Sequence, residues 1–122
     1  MRIVIAALLL ATATPAFAAD AADPTGVWIV QWDNATRNTL TLRPGATPGR
    51  LTGSYVNDAK AECTVSGVYD APTRQIAVQA VCPAWDFRLD GVIAPTGLTG
   101  SGDYVAYMGT GGVFTMSRAP GV

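Results

Sequence analysis

Hydrophobic and polar residues alternate with a period of two in eight short runs between Val27 and Arg118. That rhythm admits half-buried β-strands, and no long stretch carries a helical stripe. The runs are Val27–Trp32, Thr39–Arg43, Leu51–Asn57, Glu62–Tyr69, Gln75–Cys82, Trp85–Leu89, Leu98–Val105 and Val113–Arg118. Turn residues punctuate them, among them Pro44-Gly45, Pro48-Gly49, Asp70-Ala71-Pro72-Thr73 and Pro83. Short strands joined in sequence by short turns predict an all-β domain, an eight-stranded antiparallel up-and-down β-barrel over residues 26–118. A sandwich would need longer Greek-key crossovers.

The N-terminus reads as an address rather than as structure. Met1-Arg2 supplies a positive charge, Ile3 to Ala13 is apolar apart from Thr12, Pro15 breaks the run, and Ala16-Phe17-Ala18 sets small residues before Ala19. This is the order of a secretory signal peptide, expected over residues 1–18. The run is too short for a permanent membrane span, so none is expected after cleavage. Residues 19–25 would form a short extension and 119–122 a tail, and the expected location is the periplasm or the medium.

Export changes how Cys63 and Cys82, the two cysteines, read. In an oxidising compartment a lone pair most simply forms a disulfide. Structural zinc would want four ligands, and the chain has no histidine. A hairpin register with Cys63 opposite Cys82 supports the bridge. It sets Val65 against Ala80, Gly67 against Val78 and Tyr69 against Ile76, all on one face, and leaves Glu62, Thr64, Ser66, Gln75 and Gln79 on the other. A slip of one residue would break that agreement.

Three Gly-x-Tyr triplets, Gly53-Ser54-Tyr55, Gly67-Val68-Tyr69 and Gly102-Asp103-Tyr104, predict strongly coiled strands. Gly26-Val27-Trp28 in the first strand and Arg118 in the last resemble the calycin arrangement of lipocalins and avidins. The resemblance implies that Trp28 plugs one end of a closed barrel and that Arg118 packs across its ring, a cation–π contact. Leu51-Thr52-Gly53-Ser54-Tyr55, followed by Gly67-Val68-Tyr69-Asp70, resembles strands three and four of avidin-type proteins. There the matching positions, Tyr55 and Asn57, would touch a ligand.

The composition excludes several functions. Eight basic against nine acidic residues give a net charge of −1, which offers nucleic acid no basic face. Without histidine there is no imidazole acid, base or ligand. Gly109-Thr110-Gly111-Gly112 lacks the lysine and the following helix of a phosphate loop. Asp86, Arg88 and Asp90 read as an exposed charge ladder, because Trp85, Phe87 and Leu89 claim the core face. No nucleophile stands beside a recognisable base, no metal ligand set is visible, and no cofactor is expected.

Facing inward, Trp28, Trp32, Tyr55, Tyr69, Trp85, Phe87 and Tyr104 supply rings, and the strand glycines remove bulk. The pattern is compatible with a ligand-sized cavity and with a filled interior. The leading expectation is an exported barrel that binds a small, largely apolar ligand without converting it, using Trp28, Tyr55, Asn57, Trp85 and Tyr104. A first alternative is a protein-interaction barrel, such as a hydrolase inhibitor, which would meet an exported partner through Asp33–Thr36 and Tyr107–Gly112. A second is a cofactor-free enzyme.

Overall fold

The computed structural model describes residues 23–32, 37–106 and 109–120. The expected signal peptide at 1–18, residues 19–22 of the extension, the loop Asp33–Thr36, Tyr107, Met108 and the last two residues of the tail lie outside the described residues.

Eight strands follow one another: β1 (Gly26–Trp32), β2 (Arg37–Pro44), β3 (Arg50–Val56), β4 (Glu62–Asp70), β5 (Gln75–Val81), β6 (Asp86–Ile93), β7 (Thr99–Ala106) and β8 (Gly111–Arg118). Each pairs antiparallel with its neighbour in sequence, and β1 pairs with β8, so the sheet closes into an up-and-down barrel. Closure removes the unpaired edges that an open sheet of this size would expose. The strand limits differ from the alternation runs by a few residues at some ends. Trp85, for example, falls in the turn before β6, where the Cys82 amide donates to its carbonyl at 2.8 Å.

The cysteine register is as expected. Val65 pairs with Ala80, Gly67 with Val78 and Tyr69 with Ile76, and one step further Cys63 and Cys82 form the disulfide, with Cα atoms 4.2 Å apart. On the outer face Arg88 and Asp90 form an exposed ion pair at 2.8 Å.

Alternation sends Trp28, Val30, Leu40, Leu42, Leu51, Val65, Val78, Leu89, Ile93 and Met116 into one continuous core. Trp28, Val30, Ala80 and Ile93 have no exposed surface, and Leu40, Leu42 and Tyr55 have 1%. A water-sized void beside these side chains would register as exposed surface, so the interior at their levels is filled. The triplet glycines serve a close approach of neighbouring strands. A Cβ on Gly53 would lie 1.8 Å from the Thr41 carbonyl oxygen, and Gly67 and Gly102 face carbonyls of adjacent strands in the same way. The tight coiling of the wall therefore rests on backbone against backbone.

The two ends of the barrel differ. One is sealed by Arg118, which pairs in register with Trp28 and holds its guanidinium carbon 4.0 Å from the indole centroid. Arg118 also donates to the carbonyls of Gly97 at 3.0 Å, Asp23 at 2.6 Å and Thr25. The indole Nε1 donates to Pro24 O at 2.8 Å. Gly26 makes room for this arrangement: its φ is +124°, and a Cβ there would stand 2.6 Å from Arg118 Nη1. The other end, at which β1, β3, β5 and β7 finish, is called the mouth below.

Candidate functional site

Rings gather at the mouth because the last inward position of several strands is aromatic. Trp32 ends β1, Tyr55 lies near the end of β3, Phe87 begins the inward row of β6, and Tyr104 lies near the end of β7. Trp32 is the hub. Its ring meets Tyr104 at 4.2 Å between centroids, Phe87 at 5.1 Å and Tyr55 at 6.3 Å, each nearly edge-on. Tyr55 meets Phe87 at 4.7 Å, and Trp85 stacks on Phe87 at 5.3 Å. Edge-to-face and offset pairs of this kind each contribute about 0.5–1.5 kcal/mol beyond the area they bury. Tyr55 and Phe87 are buried, whereas Trp32, Trp85 and Tyr104 are partly exposed and form the outer layer.

A polar thread runs beneath the rings. The Trp32 indole donates to the Tyr55 hydroxyl at 2.7 Å. Burial pushes the Tyr55 phenol well above its usual value, against the opposing effect of the indole donor. Asp58 adds to the rise, and the Asn38 amide beside the hydroxyl lowers it slightly. Asn38, on β2 opposite Val30, is 4% exposed, and its Oδ1 has no hydrogen-bond partner among the described residues.

The expected site residues therefore divide. Tyr55, Trp85 and Tyr104 share the mouth cluster with Trp32 and Phe87. Trp28 lies at the sealed end, its indole engaged by Pro24 and covered by Arg118. Asn57 lies just past β3, where its Oδ1 accepts from the amides of Ala59 and Ala61, both at 2.9 Å, and so holds the β3–β4 turn. Trp32 and Phe87 are visible in the sequence as inward rings, but only the closed barrel makes them the centre of the cluster. Asn38 gives no comparable signal, since it stands at the edge of a run and reads as an ordinary turn-flanking residue.

A recess of about 860 Å³ runs over the outer wall of β4 to β7, among Val68, Ala77, Asp90, Val92 and Asp103. Among the described residues, no group of three His, Cys, Asp or Glu side chains is placed to hold a metal ion. The closed barrel is consistent with a calycin-like fold; no protein-family model matches the chain, and no curated protein matches it.

Proposed function

We propose that this is an exported, non-catalytic barrel that binds a small, largely apolar ligand at its mouth. One observation carries the reading: five rings converge on the end opposite the Arg118 seal, and three of them reach solvent. Because the interior behind them is filled, the ligand sits among the rings and not along the barrel axis. Hydrophobic and aromatic side chains beside a few fixed polar groups are the usual lining of such sites. The Cys63–Cys82 disulfide supports export, since such bonds persist in oxidising compartments.

The three tryptophans test the reading. Indole N–H signals are followed by NMR while toluene is titrated into the folded protein. Trp32 and Trp85 should shift, while Trp28, sealed at the far end, serves as the silent reference. No shift at Trp32 or Trp85 up to millimolar probe, or equal shifts at all three, would overturn it. Export is tested separately by N-terminal sequencing of protein recovered outside the cytoplasm, with Ala19 as the expected first residue.

A second reading, a protein-interaction barrel, draws on the outer wall near the same end. Val105 is 51% exposed and Val113 58%, and they stand diagonally across β7 and β8 next to the β7–β8 connection. A binding partner would protect these valines and leave the indoles of the mouth unshifted.

A further inference from the structure

Asn38 stands in an inward position of β2 that continues into Leu40 and Leu42, and it is the buried polar side chain among the described core residues. An apolar residue would satisfy that position without penalty. Leaving a buried acceptor unpaired costs about 1–3 kcal/mol, and the great majority of buried side-chain polar atoms have a partner. Among the described residues the Asn38 Oδ1 has none. Its amide lies by the Tyr55 hydroxyl, which already accepts from Trp32, so the carboxamide belongs to the polar thread directly under the rings.

We propose that Asn38 Oδ1 is the polar recognition element of the mouth, accepting a hydrogen bond from a neutral O–H or N–H group on a ring-sized apolar ligand. The rings of Trp32, Phe87 and Tyr104 set the chemistry of the ligand body, and the unpaired oxygen sets the polarity of its head. A neutral donor fits better than a cation, because one carboxamide oxygen cannot compensate for burying a full charge. This inference rests on the mouth-binding reading above and adds to it a choice between ligands of equal size.

Three probes of similar size separate the two claims: phenol carries a donor, anisole an acceptor only, and toluene neither. Affinities are read from the Trp32 and Trp85 indole shifts of the wild-type protein and of Asn38→Leu. In the wild type phenol should bind most tightly, although it is the most water-loving of the three. In Asn38→Leu the phenol-to-toluene affinity ratio should fall about tenfold while toluene still binds, and the thermal midpoint should rise. The wild-type series decides the matter even if the variant does not fold. Preference for toluene and anisole over phenol in the wild type, or an unchanged ratio in Asn38→Leu, overturns the role of Asn38 and leaves the mouth site standing. Failure of all three probes to bind overturns the mouth site itself.

Discussion

Arg118 holds its guanidinium 4.0 Å from the centre of the Trp28 ring, from the strand that closes the barrel onto the first. The same side chain gathers three carbonyls, those of Asp23, Thr25 and Gly97. Burial lowers its pKa, with Asp23 opposing the shift, but arginine stays charged throughout the accessible range. Arg118→Met should lose the cation–π contact and leave the carbonyls without their donor, destabilising the fold by about 2–4 kcal/mol in urea denaturation. Arg118→Lys should recover less than half of that, because an ammonium cannot span carbonyls placed around a planar fork. Full recovery by lysine would mean that charge alone holds the seal.

The disulfide extends a register that the hydrophobic pattern already selects, so it acts on stability and not on strand order. Replacing both Cys63 and Cys82 with alanine should leave the barrel intact and lower its stability by about 3 kcal/mol, the value for a closed loop of roughly this length. Far-ultraviolet circular dichroism should be unchanged, and the urea midpoint should fall. A molten β-structure in the double variant would show that the bridge fixes the register itself.

Strand order, inward faces and the β4–β5 pairing could be read from the chain because each follows from alternation or from the need of a closed barrel to join its ends, whereas the Trp28–Arg118 contact came from the resemblance to the calycin arrangement. The site was less legible. Trp28 and Trp32 share a face and are separated by a single inward residue, Val30, yet β1 carries them to opposite ends, since four residues of strand span about 13 Å. Asn57 resembled a ligand contact, but its side chain is taken up by two turn amides. Asn38 was missed because an unpaired oxygen is a property of surroundings, which alternation does not report.

Gly53 marks the tightest backbone approach at the strand glycines. A methyl group there would overlap the Thr41 carbonyl, which backbone geometry gives little freedom to retreat. Gly53→Ala should therefore destabilise the barrel by at least about 2 kcal/mol, as overpacking does, despite the better strand propensity of alanine. The measurement is again the urea midpoint, with Thr52→Ala, on the exposed face of the same strand, as a control expected within about 0.5 kcal/mol of the wild type. A neutral Gly53→Ala would mean that β2 and β3 can separate without loss.

Tyr55 should make the fold sensitive to base. Burial raises its phenol pKa in the folded state, and burial also raises that of Tyr69. The unfolded chain releases both protons near pH 10, while the folded chain keeps them longer. Above that pH the unfolded state therefore binds fewer protons, and the stability of folding falls as pH rises. The contribution is fully present below pH 10 and disappears at about 1.4 kcal/mol per pH unit for each retained proton. Tyr55→Phe should start less stable at pH 8, because the Trp32 indole loses its acceptor, and should decline less steeply between pH 9.5 and 11. Parallel declines for the two proteins would show that the Tyr55 hydroxyl reaches water and titrates as an ordinary phenol.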